Sequence, residues 1–170
     1  QDFILAKKAI DYGKSIVIAL NKWDLIKDKI NQKKYFSEKI KISLSQLNDV
    51  KILPTSCIKI YGIDNLLMNI IGVYSNSQNR VSTSNLNKWF KFILEKHPAP
   101  LVKGRKNSIK YISQVEVMPP RFVIFCSHPR EIPSSYIQYV KNSLKKTFNF
   151  EGVNIVISLK KTLNPFTNQK

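Results

Sequence analysis

The run Ser15-Ile16-Val17-Ile18-Ala19-Leu20 is apolar and β-branched, and it reads as a buried strand. It ends on Asn21-Lys22-Trp23-Asp24. These residue types suit recognition of one purine. A carboxylate at Asp24 can accept both the ring N–H and the exocyclic amine of guanine, a pair of donors that adenine does not offer. The aliphatic stem of Lys22 can lie over the base plane. The Asn21 amide can hold the loop and reach the base edge. A chain that carries this string at a strand end is constrained to an α/β arrangement in which the strand's C-terminal end is open.

What flanks the strand fits that arrangement. Residues 3–12 show helical spacing, with Ile4, Leu5, Ala9 and Ile10 on one face, and Gly13 is placed to close the helix in a left-handed cap. Gly13-Lys14-Ser15 mimics the end of a phosphate-binding loop. Lys8 stands where that loop needs its first glycine, and the order here is helix to strand, so we read a helix stop. Residues 27–34 read as a polar connector and 34–48 as an amphipathic helix through Phe36, Ile40, Leu44 and Leu47. A short strand at 50–54 delivers Thr55-Ser56-Cys57 and, after Gly62, a helix capped by Asp64 with Leu66, Leu67, Ile70, Ile71 and Tyr74 on its apolar face.

The second strand end gives the first its meaning. N-K-x-D at one strand end, followed one helix and one strand later by a loop of the form S-A-x-x-x-x-G, resembles the last third of a P-loop GTP-binding domain. Ser56 takes the serine position. Cys57 takes the small-residue position, where the backbone must approach the base. The phosphate loop, the switch threonine and the D-x-x-G are missing from this sequence, so the chain alone is expected neither to hydrolyse GTP nor to bind it tightly.

Residues 76–81 are polar and read as a linker. Beyond them, Ser82, Thr83 or Ser84 caps a helix with Leu86, Phe90, Ile93 and Leu94 inward and Trp89 at its flank; Pro98 and Pro100 end it. A basic loop carries Lys103, Arg105 and Lys106. A strand at 109–117 follows, alternating Ile109, Tyr111, Ser113, Val115 and Val117 against Lys110, Ile112, Gln114 and Glu116. Residues 118–120 turn the chain, and 121–127 read as a central strand. Ser134 or Ser135 caps a helix with Ile137, Val140, Leu144 and Phe148 inward and Lys141, Lys145 and Lys146 toward solvent. A last strand spans 153–159, and a loose tail begins at Lys160. The order α-β-β-α-β makes a two-layer domain with helices on one face of three strands, an architecture shared by KH-like RNA-binding modules. No G-x-x-G occurs, so their backbone clamp on phosphates is absent.

The net charge of +17, from 28 basic and only 11 acidic residues, points to a polyanionic partner, nucleic acid first. From residue 81 onward, 15 Lys/Arg face four Asp/Glu. Cys57 and Cys126 have no metal-ligand or disulfide spacing and read as packed thiols of a reducing compartment. His97 and His128 have no acid or nucleophile partner in sequence. No apolar run approaches the ~18 residues that span a bilayer. The start, Gln1-Asp2-Phe3, lacks both a methionine and a signal-peptide pattern, and we expect a piece of a longer protein.

Longer strings sharpen the resemblance. Val17 to Leu25, Arg80-Val81-Ser82-Thr83-Ser84-Asn85-Leu86-Asn87, Pro98-Ala99-Pro100-Leu101-Val102-Lys103-Gly104-Arg105-Lys106, Pro119-Pro120-Arg121-Phe122 and Ser135-Tyr136-Ile137-Gln138-Tyr139 together resemble the C-terminal portion of the Der (EngA) family. These are bacterial tandem GTPases of ribosome assembly.

The resemblance implies residues 1–75 as the end of the second GTPase domain, 76–81 as linker, 82–160 as a KH-like domain and 161–170 as tail. It implies guanine binding by Asn21, Lys22, Asp24, Ser56 and Cys57. It also implies GTP with Mg2+ held elsewhere in the intact protein, packing of the KH-like domain on the GTPase domains, docking on the 50S subunit and its rRNA, and a cytoplasmic location without membrane. The family's later loop usually has alanine where Cys57 stands and a second glycine near Ile60, which puts base affinity rather than base identity in question. The other class of function this sequence fits is a non-catalytic RNA- or protein-docking module whose GTPase part is vestigial.

Overall fold

The computed structural model describes residues 2–44, 49–101 and 107–162. The chain divides into two compact units. The first comprises Gln1–Gln78 with Asn149–Asn154, and the second comprises Asn79–Phe148 with Ile155–Lys170.

In the first unit, α1 (Asp2–Asp11) leads to β1 (Val17–Leu20), and α2 (Lys29–Ser43) connects it to β2 (Lys51–Pro54), after which α3 (Ile63–Ser77) leaves. Gly13 closes α1 with φ 78°, its N–H donating to the Ile10 carbonyl at 2.8 Å and the Lys14 N–H to the Ala9 carbonyl at 2.9 Å. The helix-stop reading of Gly-Lys-Ser therefore holds. β1 and β2 are parallel, Val17 opposite Lys51 and Leu20 opposite Pro54, which requires the helical crossover α2. Ile10, Ile40 and Leu44 form the core, with Phe3, Ile16, Ile18, Phe36 and Ile52 packed against them.

Four expectations for this unit are corrected. α2 begins at Lys29, not 34, because the Asp28 carboxylate caps it, accepting from the Asn31 N–H at 3.1 Å and the Asn31 amide at 2.6 Å. Its anticipated core residue Leu47 lies outside the described residues. β1 is only half-buried, with Ala19 exposed, since among the described residues it pairs with β2 alone. Gly62 with φ 73°, rather than Asp64, takes the N-cap of α3, and Asp64 falls in the first turn. The apolar face of α3 is largely open: Leu67, Ile70, Ile71 and Tyr74 are exposed, and its buried residues are Val73 and Ser77. Two four-residue strands are too narrow to cover a helix of 15 residues.

The segment Asn149–Asn154 completes this unit. The Asn154 amide, 2 % exposed, donates to the carbonyls of Ile10 at 2.8 Å and Lys14 at 3.3 Å, and its backbone N–H donates to the Ser15 hydroxyl at 3.0 Å. The Gly152 N–H donates to the Asp49 carboxylate at 2.8 Å, and Lys51 pairs with Glu151.

In the second unit, α4 (Thr83–Lys96) is followed by β3 (Ile109–Glu116), β4 (Arg121–Cys126), α5 (Ser134–Thr147) and β5 (Val156–Lys161). The strand order is β3-β4-β5, with β3/β4 antiparallel and β4/β5 parallel, so β4 is central as its apolar run anticipates. Leu86, Phe90, Ile112, Phe122, Ile124, Val140 and Leu144 are essentially inaccessible. Burying each contributes about 1.5–3 kcal/mol.

Ser82 caps α4, accepting from the Asn85 N–H at 3.3 Å. Asn87 serves the edge of β3 as a neighbouring strand would: its amide donates to the Ile112 carbonyl at 2.9 Å and its Oδ1 accepts the Ile112 N–H at 3.0 Å. Buried Gln114 clamps the approach to α4, accepting the Val81 N–H at 2.8 Å and donating to the Asn79 carbonyl at 3.0 Å.

Here too the structure departs from expectation. The inward face of β3 is Ile112 and Gln114, while Tyr111 and Val115 are exposed. Neither Ser134 nor Ser135 caps α5. Pro133, held extended at φ −62°, precedes it without a side-chain bond. Lys145 is buried, and Tyr136 takes the inward position beside a half-buried Ile137. α3 runs to Ser77, into the anticipated linker. β5 starts at Val156 and includes Lys160 and Lys161, because Phe125 and Cys126 of β4 pair with them.

Candidate functional site

The ends of β1 and β2 are joined beyond the strands themselves. The Thr55 N–H donates to the Leu20 carbonyl and the Trp23 N–H to the Thr55 carbonyl, both at 2.9 Å. Trp23 is 4 % exposed and anchors the first loop from below, so its neighbours on either side are held at the surface. Lys22 is left-handed at φ 60°, and its N–H is accepted by the Asn21 Oδ1 at 2.8 Å. The Asn21 side chain thus holds the loop.

The second loop is closed by a two-way backbone pair. The Ser56 N–H donates to the Tyr61 carbonyl at 2.9 Å, and the Tyr61 N–H donates back at 3.0 Å. Gly62 follows at φ 73°; a Cβ there would lie 2.3 Å from the Pro54 carbonyl oxygen. Ile60 also adopts a left-handed conformation, φ 51°, a region that β-branched side chains disfavour. This is where the resemblance called for glycine.

The two loops meet at one contact. The Ser56 hydroxyl donates to the Asp24 carboxylate and also accepts the Lys59 N–H at 3.2 Å. Ser56 is buried and Asp24 half-buried, so the serine is the fixed partner. Its hydrogen bond, first, and the nearby Lys59 and Lys29 charges hold the Asp24 carboxyl below the usual carboxylate range against a desolvation effect that raises it. Asp24 is accordingly an anion at neutral pH with a free oxygen to accept from a ligand. Lys22 and Cys57 are exposed beside it. Cys57 is therefore not a packed thiol, whereas Cys126 is fully buried and its thiol is pushed up by burial.

The basic-loop candidates Lys103, Arg105 and Lys106 lie outside the described residues. Nearby, the structure adds a cluster that sequence spacing does not reveal. Buried Asn107 accepts from the Ser127 hydroxyl at 2.9 Å and from the His128 N–H at 3.2 Å, and it donates to the His128 carbonyl at 2.8 Å. The Ser127 hydroxyl lies 2.9 Å from His128 Nδ1. These bonds lock the entry of β3 to the exit of β4. His97 ends α4, edge-on to Tyr139 at 4.9 Å, and its carbonyl accepts from Tyr136, whose hydroxyl burial pushes up to about 12. Among the described residues no group of three or more His, Cys, Asp and Glu could hold a metal ion, and no helix is long and apolar enough to cross a membrane.

The second unit is a KH-like domain of a particular kind. Residues 80–160 match the family described as the KH-domain-like C-terminal domain of EngA bacterial GTPase enzymes.

The chain as a whole matches the C-terminal portion of proteins named GTPase Der. It is 38 % identical over 169 residues to the one from Brucella ovis, covering 99 % of this chain and 35 % of that protein. To the one from Bartonella quintana it is 40 % identical over 167 residues, covering 98 % and 35 %. The chain thus spans about a third of the length of these relatives.

Proposed function

We propose that this chain is the guanine-reading end and KH-like docking domain of a GTP-hydrolysing ribosome-assembly factor. The observation that carries the reading is the Asp24–Ser56 hydrogen bond at the adjacent ends of two parallel strands. Asp24 receives the ring N–H and exocyclic amine of guanine. Asn21 braces the loop and reaches the base edge, the stem of Lys22 covers the base plane, and the backbone at Ser56 and Cys57 meets the guanine O6. Residues 1–75 then form the last third of a P-loop GTPase domain, 76–81 a linker, 82–160 the KH-like domain and 161–170 a tail. GTP and Mg2+ are the ligands of the intact protein, which the phosphate-binding part must complete.

The partner of the basic KH-like domain is the 50S subunit and its rRNA in the cytoplasm, in keeping with 15 cations against four acids from residue 81 onward. Packing of this domain on the GTPase domains is part of the same reading. The test is co-sedimentation of the intact protein with 50S particles at graded salt. We expect association with GTP that weakens with salt and is reduced when Lys103, Arg105 and Lys106 are all changed to Glu. Association indifferent to salt and to the triple change would refute RNA docking through this loop.

A further inference from the structure

The face of the β3-β4-β5 sheet opposite the helices is not the polar surface that a solvated sheet face normally presents. One row across the three strands is Tyr111, Phe125 and Lys160, set side by side by the strand register. Tyr111 and Phe125 stack with centroids 4.4 Å apart and planes 18° from parallel, and Tyr111 is 44 % exposed. The next row is Ser113, Val123 and Ser158, of which Val123 is buried at the centre. At the far rim Arg121 is paired with Glu116 at 3.0 Å, which neutralises the acid there and leaves Lys160 as the charge beside the rings.

A stacked aromatic pair across strands stabilises a sheet by itself. That role does not require the outer ring to stay open or a cation to flank it. An exposed aromatic plane with an adjacent ammonium group is the arrangement on which unpaired bases stack while their phosphates find a cation. The surrounding excess of positive charge suits the same ligand.

We propose that this open sheet face is a stacking platform for single-stranded RNA, with a base on Tyr111 and a backbone phosphate on Lys160. The inference rests on the RNA-docking reading above and names a surface for it apart from the basic loop.

The test is fluorescence anisotropy of a labelled ten-nucleotide single-stranded RNA with the intact protein, at several salt concentrations. Tyr111→Leu keeps the apolar cover and removes the π-face. It should weaken binding about tenfold with the salt slope unchanged. Tyr111→Trp should retain affinity. Lys160→Ala should lower the salt slope by about 0.7. Tyr74→Leu, an exposed tyrosine of the first unit, is the control and should have no effect. Wild-type binding with Tyr111→Leu within twofold of it would overturn the platform while leaving RNA docking intact; that outcome assigns the face to a protein contact. No RNA binding by the wild-type protein would overturn both.

Discussion

Ile60 gives the sharpest test of the loop that carries Ser56. Its φ of 51° places a β-branched residue in the left-handed region, at a cost of about 1–2 kcal/mol. Its side chain is 82 % exposed, so truncation forfeits only about 0.3–0.5 kcal/mol of burial. Glycine adds a conformational cost of about 0.5–1 kcal/mol. Ile60→Gly should therefore be neutral to about 0.5 kcal/mol stabilising, a rare result for a large-to-glycine change.

Ile58 supplies the control, because it is 83 % exposed and lies outside the left-handed region. Ile58→Gly meets the same glycine cost without relief and should lose about 1 kcal/mol. Urea unfolding followed by tryptophan fluorescence, with Trp23 buried next to the loop, reads both variants. A gap of about 1.5 kcal/mol between them is expected. A gap under about 0.5 kcal/mol would show that the left-handed turn at Ile60 carries no strain. With the strain present, Ile60→Gly in the intact protein should also tighten guanine nucleotide binding, because a relaxed loop presents the Ser56 and Cys57 backbone at less cost.

Three further outcomes follow from the same geometry. Gly62→Ala meets both a positive φ and the Pro54 carbonyl oxygen, and it should cost at least about 2 kcal/mol in the same unfolding assay. Asn154→Ala strips the donors from the Ile10 and Lys14 carbonyls and should cost about 1–3 kcal/mol by thermal or urea denaturation. Ser56→Ala removes the bond that lowers the Asp24 pKa, so the carboxyl signal in NMR should titrate at higher pH. In the wild type this contribution is complete above the ordinary carboxylate pKa and is lost as pH falls through the depressed one; an unchanged Asp24 titration in Ser56→Ala would contradict the assignment.

Local punctuation was readable from the chain. Gly13 stops a helix because only a left-handed residue ends it there, Ser82 caps one, and the apolar run of β4 marks a strand flanked on both sides. The two loops of the candidate site were readable for the same reason: each follows a strand end, where side chains are chosen for chemistry rather than packing. Burial was less readable. Leu67, Ile70 and Ile71 have helical apolar spacing, yet that spacing says which residues share a face and not whether anything covers it. The alternation of β3 likewise sets two faces without naming the inner one, and Gln114, a polar residue, proved to be inside because the Val81 and Asn79 backbone groups satisfy it. Asn87 as a surrogate strand and the Asn107–Ser127–His128 lock join residues about 20 or more apart, which spacing rules do not reach.

The central claim is that Asp24, held by Ser56, reads the guanine edge. Competition binding of guanine and xanthine nucleotides to the intact protein carrying Asp24→Asn tests it most directly. An amide presents a donor where the carboxylate only accepts, so guanine affinity should fall and xanthine nucleotide should be admitted in its place. Guanine preference unchanged by Asp24→Asn would contradict the assigned pocket.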